Sequence, residues 1–320
     1  MINSDITVSV VILTYNHERY IAQALESILS QKVDFRYEIL IGDDASKDET
    51  PEILRKYQEL YPEIIRLTLR EENIGATRNA YELLRTAQGR YIAACEGDDY
   101  WCDDNKLQKQ VDFLDSHPQY IGCAHACRIV DENGKPAKKQ RLSWTTSKQI
   151  YTLKDFKGIY LPGQTATILR RNIYSDPGSD YSIFTQAHKH IGDRTTTLIY
   201  AAKGDFYCFR EIMSCYRRQS NRSSLTSNLY TRLAESLWND LQYTLKLERY
   251  AVEELHVDAG FRYHKRNLLT SAVFCWMRGE HDLSTKIIKT VIGSEKCGWC
   301  MLLYIPIGAI KKIYARIKYY

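Results

Sequence analysis

The chain has 320 residues, 44% of them apolar, and a formal charge of +5. That is long for one compact core, so one domain plus an appendage, or two domains, is expected. Between residues 286 and 320 seven basic residues stand against Glu295 alone, which leaves the rest near neutrality and argues against a nucleic-acid binder.

The N-terminus, Met-Ile-Asn-Ser-Asp, has neither the basic start nor the apolar region of a signal peptide. The nine cysteines are therefore expected as reduced thiols in a cytoplasmic protein. No apolar run reaches the roughly 18 to 20 residues that a spanning helix needs.

Val8 to Leu13 is a continuous apolar run, the pattern of a strand covered on both faces, and Thr14, Tyr15 and Asn16 follow it. Ile21, Leu25, Ile28 and Leu29 then recur at helical spacing. The unit repeats. Tyr37 to Gly42 reads as a strand ending in Asp43 and Asp44, and Thr50 is expected to cap a helix beginning at Pro51 and stopped by Pro62. Ile64 to Leu69 is a third strand, and Gly75 to Ala87 a third helix with Ala76, Ala80, Leu83 and Leu84 inward and Gly89 as its stop. Tyr91 to Cys95 is the fourth strand. Strands alternating with helices of this length imply right-handed crossovers and a parallel sheet.

Lys106 to His117 is an amphipathic helix ended by Pro118. From Ile121 to Ile129 apolar and polar residues alternate, which predicts a half-buried strand. Cys123, His125 and Cys127 fall on one face and read as small core residues rather than metal ligands. Asp131 to Gly134 is a turn, and residues 135 to 150, polar, basic and without periodicity, read as a mobile loop. A turn at Leu161-Pro-Gly163 leads through Gln164 into a strand, and Gly192 and Asp193 precede an apolar helical stretch. Phe206 to Tyr216 reads as a strand and Leu229 to Leu255 as a long helix with Leu233, Leu237, Leu241 and Leu245 on one stripe. His264 to Met277 and Leu283 to Ile292 form a helical pair around Gly279.

The stretch Ile92-Ala-Ala-Cys-Glu-Gly-Asp-Asp-Tyr-Trp101 gathers Glu96, Asp98 and Asp99 at a strand end, where their repulsion calls for a counter-charge. Hard oxygen donors on a rigid strand end suit Mg²⁺ or Mn²⁺. Thr14 and Asn16, Asp43 and Asp44, and Asn73, Arg78 and Asn79 stand at the earlier strand ends or beside them. Ligands bind at that edge of open α/β sheets, and the series reads as a nucleotide site.

Five ordered motifs make the chain resemble the family 2 glycosyltransferases of the GT-A fold. They are Val8 to Asn16, Glu38 to Thr50, Asn73 to Gly75 with Arg78-Asn79, Gly89 to Ile92, and Glu96 to Trp101. The resemblance implies a Rossmann-like, mostly parallel sheet flanked by helices over residues 1–225. Residues 1–118 would form the nucleotide-binding half and 119–225 the acceptor and catalytic half. A helical extension at 226–296 and a basic amphipathic tail at 297–320 would complete the chain.

By the same resemblance Thr14, Tyr15 and Asn16 would lie by the nucleotide and Asn73 beside it. Asp44 or its neighbour Asp43 would accept the N3 hydrogen of a uracil, an acceptor-only carboxylate facing an imide N–H. Arg78 would meet the diphosphate, Asp98 the ribose or the metal, and Asp99 the metal. Glu96 stands where the family usually has its first Asp. Gly192-Asp193 sits at the family's general base, ahead of Asp180 and Asp205 as alternatives, and Tyr216-Arg217 at a pair near the leaving phosphates. The family often has His shortly after that pair; this chain has Gln219.

The implied reaction moves a sugar from a nucleoside diphosphate donor, expected to be UDP-linked, to a hydroxyl of a saccharide or lipid-linked saccharide. The resemblance also implies Mn²⁺ or Mg²⁺ and a setting in cell-surface polysaccharide or glycolipid assembly. One carboxylate set would hold metal while Asp193, far from it in sequence yet facing the same cleft, takes the proton. A nucleotidyltransferase would carry a Gly-rich phosphate loop after the first strand, and none follows Leu13. An inactive sugar-nucleotide binder would have no use for both Asp193 and the metal carboxylates. In the tail, Ile307, Ile310, Ile313, Tyr314 and Ile317 fall on one helical face with Lys311, Lys312 and Arg316 off it, the pattern of a segment lying on an anionic membrane surface at the inner face of the cytoplasmic membrane. The Cys297 and Cys300 pair lacks the βαβ context of a redox motif and reads as incidental.

Overall fold

The computed structural model describes residues 5–176, 178–218 and 233–295; the basic tail and Gln219 lie outside these. In chain order the elements are β1 (Ile6–Thr14), α1 (Ile21–Leu29), β2 (Arg36–Asp43), α2 (Thr50–Leu60), β3 (Ile65–Leu69), α3 (Ala76–Leu84), β4 (Tyr91–Glu96), β5 (Tyr100–Trp101) and α4 (Lys106–Ser116). Then come β6 (Tyr120–Val130), β7 (Ile150–Tyr151), α5 (Leu153–Phe156), a 3₁₀ turn (Thr165–Thr167), β8 (Leu169–Arg171), α6 (Ile183–Ala187), α7 (Asp193–Ala201) and β9 (Asp205–Arg217). The helices α8 (Leu233–Glu253), α9 (Phe261–Met277) and α10 (His281–Gly293) follow.

Nine strands form one sheet in the order β3-β2-β1-β4-β8-β6-β9-β5, with β7 beside β9. β1 runs parallel to both β2 and β4, and β2 parallel to β3, as expected from the alternation of strands and helices. Val8, Val10 and Ile12 of β1 are fully buried together with Ile39 and Ile41 of β2, because both faces of these strands are covered. Antiparallel β8 then joins the parallel half to β6, which pairs in parallel with β9.

The alternation predicted for β6 holds only in part. Gly122, Cys123, Ala124 and His125 are all buried in succession, since both faces of β6 are covered there: Cys123 lies against Gln110 of α4 and Ala124 against Gly163. Cys123 and His125 are core residues, and burial holds the His125 imidazole down at about 3, uncharged.

Two local expectations are corrected. Thr50 does not cap α2 but is its first residue; its hydroxyl accepts the His17 backbone N–H at 2.9 Å, tying α2 to the loop after β1. Residues 135 to 150 are anchored rather than free. Gln140 donates to the Ile129 carbonyl at 2.8 Å and accepts the Ile129 N–H at 2.9 Å, and Leu142 is buried.

The described residues divide into two compact units, one from residues up to 155 together with those from 160 to 218, the other from residues 156–159 with 233–295. In the second, Leu241, Leu268, Leu269, Ala272, Ile287 and Val291 form the core of three helices. Leu237 and Leu245 of the predicted stripe pack against it, whereas Leu233 is exposed. Lys265, fully buried, is paired with Glu248 at 2.8 Å and Glu295 at 2.6 Å, as a buried cation requires.

Candidate active site

The first unit brings the strand ends β1, β2 and β4 to one edge. Gly97 eases the turn after β4: a Cβ there would lie 2.7 Å from His17 Nδ1 and 3.1 Å from Thr14 Oγ1, so any side chain would force these neighbours to shift where the loop lies against β1. The turn sets Glu96, Asp98 and Asp99 so that one carboxylate oxygen of each lies within 4.8 Å of the others.

Asp99 is buried, accepting the Arg217 backbone N–H on Oδ1 at 2.8 Å and the Gln164 amide on Oδ2 at 2.7 Å. Burial, followed by the neighbouring Asp98 and Glu96, nevertheless raises its carboxyl well above the usual range. Glu96 is pushed up to about 8, by burial first and then by Asp193 and Asp98. Uncompensated negative charge in a partly dry pocket is what a divalent cation relieves, and three hard oxygen donors fit Mn²⁺ or Mg²⁺.

Asp193 is the first residue of α7, with Gly192 as the N-cap and no side-chain capping hydrogen bond. It does not serve as the cap. It lines a cavity together with Glu96, Leu13, Gly163, Thr165 and His190. Reachable by solvent yet surrounded by protein, its carboxyl is raised by desolvation, against a lowering by the helix backbone and Arg194. Asp193, far from the metal carboxylates in sequence, thus faces the same cavity as Glu96, and it adds to the raising of the Glu96 carboxyl.

The other expected residues fall into two groups. Thr14 is buried with Oγ1 unpartnered, and Tyr15 is 43% exposed beside it. Asn16 adopts a positive φ of 56° and accepts the Lys47 N–H at 2.8 Å, which joins the loops after β1 and β2. Several residues expected at the ligand hold the protein itself. Asp44 accepts the N–H groups of Ile74 and Gly75 at 2.8 and 3.0 Å, and Asn73 donates to the Asp44 carbonyl at 3.2 Å. Asp43 accepts the Ser46 N–H at 2.9 Å; burial raises its carboxyl while those Ser46 bonds lower it. Asn79 donates to the Gly42 carbonyl at 2.9 Å. Arg78 pairs with Glu82 at 2.9 Å on the surface of α3.

Arg217 is buried, and its guanidinium donates to the carbonyls of Asp98 at 2.9 Å, Asp131 at 3.3 Å and Glu132 at 3.1 Å, and to Gln23 Oε1 at 2.7 Å. With its guanidinium carbon 4.5 Å from the centre of the Tyr20 ring, it ties the carboxylate loop to β9 and to the turn after β6. Gln164 carries no site signal in the sequence. Its turn is visible there, but nothing in the local pattern marks contact with carboxylates 65 and 68 residues upstream.

A profile of the family described as Glycosyl transferase family 2 matches residues 9–176, just over half of the chain. The chain belongs to that family. It is similar to the uncharacterized protein Rv1520 of Mycobacterium tuberculosis, 31% identical over 274 residues, which span 85% of this chain and 74% of that protein. It is also 30% identical over 157 residues to the minor teichoic acid biosynthesis protein GgaA of Bacillus subtilis, covering 48% of this chain and 34% of GgaA. Among solved structures, S. aureus TarS 1–349 in complex with UDP-GlcNAc has a TM-score of 0.66 and 16% identity, covering 96% of this chain and 89% of that one. The likeness to TarS establishes the GT-A fold.

Proposed function

We propose that this chain is an inverting glycosyltransferase that moves a sugar from a UDP-linked donor to a hydroxyl of a saccharide or lipid-linked saccharide acceptor. The observation that carries the reading is that Glu96 and Asp193 line one cavity while Asp98 and Asp99 adjoin Glu96. The UDP-GlcNAc held by TarS supports the donor class, and the name of GgaA supports a setting in cell-surface polysaccharide assembly.

Asp99, Asp98 and Glu96 would hold Mn²⁺ or Mg²⁺, which supplies positive charge to a leaving diphosphate. Thr14, Tyr15 and Asn16 border the nucleotide, and Asp44 or Asp43 accepts the base N–H through a lone pair left by its loop bonds. Arg78 turns from Glu82 to the diphosphate. Asp193 accepts the proton of the acceptor hydroxyl as that oxygen forms its bond to the anomeric carbon. The bond from that carbon to the diphosphate breaks, and the electron pair leaves with the nucleotide. One direct displacement inverts the anomeric centre.

Arg217 acts by fixing Asp98 and Asp99. Residues 297–320 bind an anionic membrane surface, so their deletion should abolish flotation with anionic liposomes; equal flotation without them would refute that part. No helix among the described residues is long and apolar enough to cross a membrane.

Asp193→Asn tests the central assignment. The variant should keep its fold and its donor affinity but lose transfer by at least about 10²-fold. Transfer within a few-fold of wild type, measured with the acceptor, would overturn it.

A further inference from the structure

Gln164 is 2% exposed, yet it faces the cluster of Glu96, Asp98 and Asp99. Its Nε2 donates to Asp99 Oδ2 at 2.7 Å and to Glu96 Oε2 at 3.3 Å, so one neutral amide joins two of the three carboxylates. The amide's orientation is fixed by its surroundings. Oε1 accepts the Ala166 N–H at 2.8 Å, a bond that a flipped amide would lose, and the NH₂ group must then face the acids.

The turn that carries Gln164 is locked as well. Thr167 bonds the Gln164 carbonyl through its hydroxyl at 2.7 Å and through its N–H at 2.8 Å. Trp101 Nε1 donates to the Ala166 carbonyl at 3.1 Å, and buried Gln110 to that of Thr167 at 3.0 Å. The donor is thus braced from β5 and α4, the elements that follow Asp99 in the chain.

We propose that Gln164 is a positioning residue for the cation: it orients Glu96 and Asp99 so that their remaining lone pairs converge on one ion. This rests on the metal-dependent reading above. Each oxygen that accepts from Gln164 keeps a second lone pair, so the bond aims the carboxylates without occupying them. Partners that aim metal ligands in this way typically contribute about 10- to 100-fold in metal affinity.

Gln164→Asn separates this role from a purely architectural one. Asn is a favoured capping residue and can keep the bond to the Ala166 N–H, but it is one methylene too short to reach both acids. Gln164→Met removes the donor at similar length and serves should the Asn variant unfold. Free Mn²⁺ is followed by electron paramagnetic resonance as protein is titrated, with Asp99→Ala as the reference for loss of the site. Thermal unfolding is recorded alongside. The expected result is Mn²⁺ affinity weakened about 10- to 100-fold in Gln164→Asn, at an unfolding temperature close to wild type. Affinity within threefold of wild type, where wild type binds and Asp99→Ala does not, overturns the role of Gln164 and leaves the metal reading standing. No Mn²⁺ binding by wild type overturns both.

Discussion

The backbone N–H of Arg217 donates to Asp99 Oδ1 at 2.8 Å across 118 residues of sequence, while the Arg217 side chain bonds the Asp98 carbonyl at 2.9 Å. One residue at the end of β9 therefore holds two consecutive members of the carboxylate loop. Arg217→Lys keeps the charge but loses the planar fork that reaches Asp98, Asp131, Glu132 and Gln23 together. Urea unfolding should reveal a loss of about 2 to 3 kcal/mol, the scale of a few buried charge-assisted hydrogen bonds. An unchanged unfolding midpoint would mean that the fork contributes nothing.

Cation binding should release protons. Glu96 is raised to about 8 by burial, Asp193 and Asp98, so it is protonated at neutral pH in the free protein. A carboxyl raised in this way favours the folded state fully below its ordinary value of 4.5, and that contribution is lost as pH climbs through about 8. A cation demands the ionised form. Calorimetry of Mn²⁺ binding at pH 7 in buffers of different ionisation enthalpy should show net proton release, and affinity should rise up to about pH 8. Heats independent of the buffer would contradict the protonated Glu96.

The first half of the site was legible because it is local. Each group there follows an apolar strand by a few residues, so strand ends marked by Thr14, Asp43 and Glu96 locate the edge without knowledge of packing. What remained hidden is non-local. Neither Gln164 nor the Arg217 network is visible in spacing, because both depend on β8 and β9 returning beside β4 and β5 through antiparallel pairings. Asp44 and Arg78 show the same limit. Both also bond within the protein, Asp44 to the Ile74 and Gly75 N–H groups and Arg78 to Glu82, and residue type alone does not reveal those contacts.

Lys106 is fully buried, donating to Gln110 Oε1 at 2.8 Å and lying 4.0 Å from the centre of the Trp101 ring. Burial lowers its ammonium from 10.5 to about 7. The folded state thus binds fewer protons than the unfolded chain between those values, and stability is lost as pH falls from 10.5 through about 7. Lys106→Met removes this dependence. The stability difference between variant and wild type, from urea unfolding at pH 7, 8 and 9, should shift in favour of the variant as pH decreases. A difference independent of pH would show that Lys106 keeps an ordinary ammonium.

Asp99 combines structural and ligand roles, and two substitutions separate them. Asp99→Ala leaves the buried Arg217 N–H without an acceptor, at a cost of about 1 to 3 kcal/mol, and leaves the Gln164 amide only its longer bond to Glu96 at 3.3 Å. Asp99→Asn keeps an acceptor for Arg217, but its own NH₂ then confronts that of Gln164, whose orientation the Ala166 N–H fixes. Both variants lack the anionic oxygen needed by a divalent cation, so both should lose Mn²⁺-dependent binding of UDP. Only the size of the stability loss should differ, with alanine the more damaging of the two if Arg217 is the dominant partner. Calorimetry of UDP with and without Mn²⁺, paired with urea unfolding, measures both quantities. Unchanged Mn²⁺-dependent affinity in Asp99→Ala would move the ion to Glu96 and Asp98 and leave Asp99 as the anchor that ties β9 to the carboxylate loop.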